Sequence, residues 1–366
     1  MSYMVDTMHL NNQVITPNRD AAYMDITFGY VIENHTLVNE IQKVVAGHYI
    51  SISKDGLNET EYHRFCNNPT DGTEEEIIIE LDKRFRNAIK LQFEKDKEYG
   101  YKHVACLSGG LDSRMTVWVA HNMGYNYVDF QVAQKIATDL KHDFMFKALD
   151  AGNCIYDIDK VSAISYGLAC FFGLSHTYSM FSKLNLNDYG IIHSGMLGDV
   201  IIGSFLKEPL YKLSAKISDG AYSVEVIGKL KDYQYQYRYH DSETYMMYNR
   251  GFGFCGQGTL AYCHEQTETL SPFCDVDFME YCLSIPLNLR CNHKVYLDWV
   301  LSKYPEAGDY VWEKRGATPR EIIAQGNAKP IVRHLMTIGN MSIPTPRDPY
   351  FGEYIKGFIL RRLGLR

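Results

Sequence analysis

The sequence predicts an α/β protein: a parallel β-sheet flanked by helices, followed by a mostly helical C-terminal half. Two patterns lead to this class. Between about residues 100 and 205, short apolar runs of strand length alternate with helical stretches, which is typical of βαβ units and a parallel sheet. Beyond about residue 205 the pattern is mostly helical. With 366 residues, the chain is long enough to bury a sizeable core.

The segment before the sheet contains clear local signals. Residues 20–65 read as short strands and turns, with partial alternation of apolar and polar residues over 44–53 and a Lys-Asp-Gly turn after them. Thr73 and Glu76 then form a capping box, in which each side chain bonds the backbone N–H of the other residue. Apolar residues near one face carry the predicted helix to about Glu94.

The elements of the predicted sheet follow in chain order. The apolar run His-Val-Ala-Cys-Leu and two later runs have the length and composition of strands. Helical stretches separate them. The predicted strands lie at 103–107, 127–132 and 189–193, and the predicted helices at 114–123 and 138–151.

Composition and charge disfavour several classes of protein. The net charge is -7, which argues against a general nucleic-acid or acidic-membrane binder. The nine cysteines form no CxxC pair and fit no zinc template, so we expect free thiols in a reducing compartment. The N-terminus has no signal-peptide core, and polar residues interrupt the apolar stretch 161–181, which favours a buried helix over a membrane span. These features predict a cytoplasmic protein.

Tyrosine is the most unusual component, with 28 residues in the chain. Many of them lie between residues 233 and 262. Aromatic faces of this kind could line a pocket for a sugar ring, or they could form a packing surface. The sequence leaves both interpretations open.

The chemistry is concentrated in residues 108–113, Ser-Gly-Gly-Leu-Asp-Ser, between a predicted strand and a predicted helix. Gly109 and Gly110 let the backbone approach an anion, and we expect them to adopt positive φ. Successive N–H groups, backed by the positive end of the helix, would then form a phosphate cradle. The negative charge of Asp112 would repel a phosphate, so we expect Asp112 to bind a cation that bridges it to the phosphates. Mg²⁺ is the expected cation because it prefers oxygen ligands. The motif lacks the lysine of a Walker A loop.

This motif resembles the PP-loop of the ATP pyrophosphatases, which cleave ATP between its α and β phosphates and adenylate an oxygen. Within that group the chain resembles the asparagine synthetases, over about residues 20–330 and in the correct order. The resemblance implies the fold of the adenine nucleotide alpha hydrolase-like PP-loop synthetases. The positions that carry it are Thr36, Ile41, Gly47, His48, 130–132, 138–140, 194–203, 271–275, 278–280, Lys294 and 312–316.

The resemblance implies ATP and Mg²⁺ as cofactors and a role for each matching residue. Asp112 and Asp199 would share the Mg²⁺, and Lys314 would stabilise negative charge in the adenylation transition state, so these three are the expected catalytic residues. Simpler alternatives are a helix cap for Asp199, a surface lysine for Lys314 with Arg315 as the real partner, and a core position for Val132. The expected nucleotide-binding residues are Leu107, Ser108, Gly109, Gly110, Leu111, Asp112, Ser113, Val132, Ser194 and Gly195.

Three positions depart from the family pattern. Met196 and Val200 replace acidic residues, and Leu270 replaces an arginine. In the family, the positions of Met196 and Leu270 serve the amino-acid substrate and the attack. Leucine cannot provide the bidentate hydrogen bonds with which arginine holds a carboxylate. Free aspartate is therefore a doubtful substrate, and we expect a larger, less charged acid such as a sugar acid or a specialised metabolite.

The resemblance also suggests a domain organisation. A chain that begins Met-Ser-Tyr lacks the cysteine nucleophile of the family's N-terminal glutaminase domain. We expect residues 1–70 to form a short β-rich remnant of the domain junction, 71–343 to form the ATP-binding synthetase domain, and 344–366 to form a linker and a basic tail helix. Ammonia would then come from solution or from a separate glutaminase.

The leading hypothesis is an ATP-dependent amide-forming carbon–nitrogen ligase. It would adenylate a small-molecule carboxylate, release pyrophosphate and AMP, and transfer ammonia or an amine. The alternatives are a peptide or lactam cyclase of the same fold and a catalytically inactive ATP-binding homologue. A tRNA-thiolating enzyme is disfavoured, because neither a catalytic cysteine pair nor a basic face is evident. Whether the protein forms a homo-oligomer stays open.

Overall fold

A five-stranded sheet forms the centre of the structure, which is a computed structural model. It describes residues 2–131, 134–145, 157–165, 178, 181–182, 185–206, 208–209, 219–221, 224–255, 267–326, 335–338 and 341–344. The strands are β1 (His48–Ser53), β2 (Gly56–Glu61), β3 (Lys102–Leu107), β4 (Val128–Gln131), β5 (Phe144–Met145), β6 (Tyr189–His193), β7 (Glu268–Leu270), β8 (Leu335–Ile338) and β9 (Met341–Pro344).

The central sheet has the strand order β5-β4-β3-β6-β7, and every neighbouring pair in it is parallel. The predicted α/β class with a parallel sheet and flanking helices is therefore confirmed. β3 lies in the middle of the sheet, so the loop that follows it opens at the carboxyl edge between neighbouring strands. In open α/β sheets this edge is where ligands bind. Two antiparallel hairpins, β1–β2 and β8–β9, lie outside the sheet.

Helices surround the sheet and supply most of the second half of the described chain. Beyond residue 205 short α, 3-10 and π-helical segments predominate, but β7 joins the central sheet from this half. The α-helices are α1 (Ser2–Leu10), α2 (Arg19–Phe28), α3 (Glu74–Glu98), α4 (Leu111–Asn122), α5 (Gln134–Asp139), α6 (Ile158–Ser165), α7 (Ser242–Met246), α8 (Val276–Ser284), α9 (Leu287–Arg290), α10 (Lys294–Lys303) and α11 (Pro319–Ala324).

The longest helix, α3, begins at the predicted capping box. The Thr73 hydroxyl accepts the Glu76 N–H at 3.3 Å, and the Glu76 carboxylate accepts the Thr73 N–H at 3.0 Å. The helix continues to Glu98, four residues beyond the predicted end. Its buried face joins the main core, where the ring of Phe85 contacts Phe273, Phe278 and Trp299.

Two predicted elements are wrong. Residues 19–28 form α2 rather than strands and turns: Asn18 caps the helix by accepting the Ala21 N–H at 3.1 Å, and Gly29 ends it at φ 76°. The predicted helix at 138–151 is contradicted by β5, because residues 144–145 pair with β4. Tertiary strand pairing there overrides the local helical pattern. Residues 146–151 lie outside the described part of the chain.

The tyrosine-rich segment packs internally. The rings of Tyr233, Tyr235, Tyr239 and Tyr245 contact one another edge to face, with centroids 5.1–5.9 Å apart. They surround the buried carboxylate of Glu33, which accepts hydrogen bonds from the Tyr233 and Tyr239 hydroxyls. For these four residues, the geometry favours a packing surface over a sugar pocket.

The stretch 161–181 and the tail 344–366 fall mostly outside the described residues. Among the helices that the structure does describe, none has both the length and the apolar character to cross a membrane.

Candidate active site

The loop that follows β3 is braced by two serine hydroxyls. Ser113 Oγ accepts the Ser108 N–H at 2.9 Å and lies 2.8 Å from Ser108 Oγ. Ser108 Oγ also accepts the Gly110 N–H at 3.1 Å. Both hydroxyls therefore fix the loop against the start of α4. Their hydrogen bonds are made within residues 108–113.

The first turn of α4 has no side-chain cap. Gly110 is its N-cap residue, with φ -75° and ψ 162°, and among the described residues no side chain bonds the first N–H groups of this 12-residue helix. Such unsatisfied N–H groups, together with the helix dipole, favour a phosphate or carboxylate.

The expectation of positive φ at Gly109 and Gly110 is wrong, because neither residue has it. The physical requirement at Gly109 is space. A Cβ there would lie 2.8 Å from Glu313 Oε2, and the Gly109 carbonyl accepts the Glu313 N–H at 3.1 Å. Glu313 was assigned no role from the sequence.

The second glycine-containing motif packs directly on the first. A Cβ at Gly195 would lie 2.1 Å from the Ser113 nitrogen, and one at Gly198 would lie 2.7 Å from the Asp112 Cγ. Thr116 on α4 adds a hydrogen bond of 3.2 Å to the Ser194 carbonyl. Only glycine allows this backbone approach, which brings Asp112 and Asp199 together.

Replacing Gly195 with alanine should disrupt the contact between the two motifs. The new methyl group would overlap backbone atoms, which cannot move as a flexible side chain can. We expect the free energy of unfolding to fall by about 3 kcal/mol or more, at the upper end of overpacking effects. Chemical denaturation measures this. Gly228→Ala is the matched control, since a Cβ there meets nothing within 4 Å. Equal stability of the two variants would contradict the close approach.

The electrostatic centre of the site is formed by Asp112, Asp199 and Lys314. Lys314 Nζ donates to Asp199 Oδ2 at 2.6 Å. The carboxylate of Asp112 accepts the Tyr296 hydroxyl at 2.8 Å and also the backbone N–H of Asp199. Lys314 is partly buried and paired with Asp199. Asp199 is at the same time the N-cap residue of the π-helical segment Val200–Ser204, without a side-chain cap hydrogen bond.

The two carboxyl groups differ in proton affinity. Burial and the neighbouring charge of Asp199 raise the pKa of Asp112 to about 7. Burial also acts to raise the pKa of Asp199, but the charge and hydrogen bond of Lys314 outweigh it and lower that pKa below its usual value. The site thus has one carboxyl group whose pKa is lowered and one whose pKa lies near neutral pH.

Lys314 is held by a tight turn and by a buried arginine. Trp312 and Ala317 form a bridge, and Gly316, with φ 62°, donates its N–H to the Trp312 carbonyl at 2.8 Å. The fully buried guanidinium of Arg114 on α4 donates to three carbonyls of residues 307–311, just before this turn, at 2.7–3.0 Å.

Sequence reasoning missed His293 and Tyr296. The His293 side chain is buried beside Asp199, its ring lies edge-on to Trp312 at 5.4 Å, and neither ring nitrogen has a hydrogen-bond partner among the described residues. Burial lowers its pKa to about 4, so the imidazole is neutral. Asn292 and His293 both have positive φ, at 57° and 63°. Backbone strain of this kind clusters at functional sites, but it carries no sequence signature that a single chain reveals.

The expected nucleotide-binding residues outside the loop and α4 are Leu107, Val132, Ser194 and Gly195, and the structure describes three of them. Leu107, Ser194 and Gly195 are buried where β3 and β6 end, next to the loop. The Ser194 hydroxyl donates to the Leu270 carbonyl at 3.1 Å. Val132 lies outside the described residues.

The three departures from the family pattern lie close to this centre. Val200 is buried in the main core, and Met196 packs partly buried against it. The Met196 carbonyl accepts the Ser271 hydroxyl at 2.8 Å, one residue after Leu270. The residues at these three positions are therefore apolar, where the resemblance implies charged side chains.

The donor groups fit a magnesium–nucleotide complex. Two adjacent carboxylates would supply the oxygen ligands that Mg²⁺ prefers, and a cation there would offset the burial and the Asp199 charge that raise the pKa of Asp112. The uncapped first turn of α4 has N–H donors suited to phosphate oxygens.

The fold and the site together define an α/β protein with a glycine-rich strand–loop–helix motif and a paired-carboxylate centre. Comparison with protein families finds no family model that matches the chain. The search of curated proteins likewise finds no match.

Proposed function

We propose that the protein is an ATP-dependent amide-forming ligase that adenylates a carboxylate. The observation that carries the proposal is the convergence of Asp112, Asp199 and Lys314 at the N-terminus of α4, which has no side-chain cap. The proposal includes the PP-loop fold and the asparagine synthetase-like family, which rest on the sequence resemblance.

In this proposal, the backbone N–H groups at the start of α4 bind the phosphates of ATP. Asp112 and Asp199 hold Mg²⁺, and Tyr296 fixes the orientation of Asp112 through its hydrogen bond of 2.8 Å. The metal supplies positive charge that neutralises the phosphate oxygens. Lys314 is kept in place by Asp199 and by the turn at Trp312.

The reaction divides into two steps. A carboxylate oxygen of the substrate attacks the α-phosphorus, the bond to the bridging oxygen breaks, and pyrophosphate leaves. Lys314 stabilises the negative charge that builds on the phosphoryl oxygens. Ammonia or an amine then attacks the acyl carbon, loses a proton, and AMP leaves with the bonding electrons.

The apolar residues Met196 and Leu270 support a substrate other than free aspartate. They offer no cation for a second carboxylate. A substrate with one carboxylate and a less charged body matches these residues better than an amino diacid.

Pyrophosphate release tests the function. The wild-type chain is incubated with Mg²⁺, ATP and a broad panel of sugar acids, amino acids and short peptides, with ammonia as the amine. We expect release with at least one acid, and loss of that release in Asp112→Ala. Asp188→Ala removes an exposed carboxylate outside the site and should leave the rate unchanged. The proposal fails if the wild type equals Asp112→Ala with every acid. Intact-mass analysis of the product separates amidation from cyclisation, which loses water.

Magnesium binding should depend on pH. Because the pKa of Asp112 is raised to about 7, its carboxyl group is largely protonated below that pH, and Mg²⁺ must displace the proton. We expect the apparent affinity to rise by up to about tenfold per pH unit below pH 7 and to level off above it. Calorimetric titration between pH 5.5 and 8.5, roughly the range around this pKa, measures this. Asp112→Asn should remove the dependence, whereas a pH-independent affinity of the wild type would contradict the assignment.

A further inference from the structure

A second cluster of potential ligating side chains lies on α3, β3 and β6. Asp96 comes from α3, His103 from β3 and His193 from the end of β6. His103 Nδ1 lies 3.1 Å and His193 Nε2 lies 2.9 Å from the same oxygen, Asp96 Oδ2. All three ligand atoms lie within 4.8 Å of one another, and the described residues contain no other such group of three.

The convergence on one oxygen leaves polar atoms without partners. Asp96 Oδ1 and His193 Nδ1 are buried and have no hydrogen-bond partner among the described residues. A cluster that served only as a hydrogen-bond network would be expected to use both carboxylate oxygens, since buried polar atoms are nearly always paired.

The cluster is almost closed to solvent. The side chains of Asp96, His103 and His193 are 1%, 8% and 0% exposed. Phe93 stacks on the His193 ring with centroids 3.8 Å apart and tilts against His103 at 4.7 Å. The aromatic packing fixes both imidazoles, as a preorganised ligand set requires.

We propose that Asp96, His103 and His193 bind a divalent transition metal of the zinc class. Two imidazole nitrogens and one carboxylate oxygen form a donor set typical of zinc. Ligand atoms around tetrahedral zinc stand about 3.3 Å apart, given bonds near 2.0 Å, and the two contacts to Asp96 are only slightly shorter. Asp96 Oδ1, which has no other partner, is the closest candidate for a fourth ligand.

A metal at this position would have a structural consequence. It would tie α3 to β3 and β6, the two strands that lead into the loop at Ser108 and into Ser194. Binding energy at a structural zinc site adds to folding free energy. The site is distinct from the Asp112 centre and does not depend on the proposed ligase reaction.

Zinc content and affinity of the full chain test the proposal. The protein is stripped with a chelator, reloaded with zinc and desalted, and the metal is counted by mass spectrometry. We expect one zinc per wild-type chain and a raised melting temperature with zinc but not with magnesium. In Asp96→Asn and His103→Ala, zinc affinity should fall by about a hundredfold or more, since even outer-shell substitutions cost tenfold or more.

Matched controls keep the test decisive. His142→Ala is the first control. His142 Nε2 lies 2.8 Å from His121 Nδ1, but among the described residues this histidine pair belongs to no group of three potential ligands. This variant, like Asp112→Ala, should keep the zinc. If a variant fails to fold, cobalt substitution of the wild type still reports a four-coordinate nitrogen–oxygen site by its visible absorption. Failure of the wild type to take up zinc, or uptake unchanged by Asp96→Asn, would overturn the proposal whether or not the chain releases pyrophosphate.

Discussion

Replacing Lys314 with alanine should lower the rate of pyrophosphate release by about 10²–10³, the typical effect of removing one preorganised charge from a transition state. The lysine is already paired with Asp199 at 2.6 Å, so its charge is positioned before substrate binds. The loss should be in kcat rather than in KM for ATP, because the lysine acts on charge that develops during the reaction. Steady-state kinetics with the best acid from the panel measure both constants.

Arg315 provides the matched control for this prediction. Its guanidinium lies over the Trp312 ring at 5.7 Å, in the same turn, whereas it is Lys314 that makes the ion pair with Asp199. Arg315→Ala should change kcat far less. If Arg315→Ala is the more damaging change, then Arg315 carries the charge and the assignment of Lys314 is wrong.

Replacing Arg290 with alanine should destabilise the fold by about 3–5 kcal/mol, because it leaves a buried carboxylate without its partner. Arg290 is fully buried and donates to Glu243 at 2.6 and 3.1 Å, to Asn67 at 2.7 Å and to the Ile201 carbonyl at 3.3 Å. It therefore joins three distant parts of the chain behind the second glycine motif. Urea denaturation at constant pH measures the loss.

An exposed ion pair is the control for Arg290. Arg320 and Asp309 lie 2.7 Å apart, and more than half of each side chain is exposed. Arg320→Ala should cost no more than about 1 kcal/mol, as is usual for surface pairs. Equal losses in the two variants would show that burial does not amplify the Arg290 network.

The sequence predicts those parts of the fold that depend on local patterns. The capping box at Thr73 and the strands at 103–107 and 189–193 follow from side chains adjacent in sequence, and the structure has them. The order of strands in the sheet does not follow from such patterns, because it depends on which strands pair across the sheet. β5 was missed for this reason: only its pairing with β4 makes it a strand.

The residues of the candidate site are likewise of two kinds: those that sequence motifs predict and those that only the folded chain brings close. Asp112, Asp199 and Lys314 belong to recognisable motifs, and the structure brings them together. Tyr296 and His293 belong to no motif, and they reach the site from the start of α10, where the Tyr296 hydroxyl donates to Asp112 and His293 lies beside Asp199. The expectation of positive φ at Gly109 and Gly110 was wrong for a related reason. A sequence does not reveal whether a glycine is needed for its backbone torsion angles or for its lack of a side chain.

Arg114 has a consequence for the energetics of substrate binding. One guanidinium satisfies three carbonyls of the segment before the turn of Lys314, and the same residue belongs to the helix that, in the proposed function, faces the phosphates. The proposed catalytic cation and the proposed anion-binding helix would thus be joined before any ligand arrives. Substrate binding would therefore cost little conformational entropy for ordering these two segments. More of the intrinsic binding energy would then be available to stabilise the transition state.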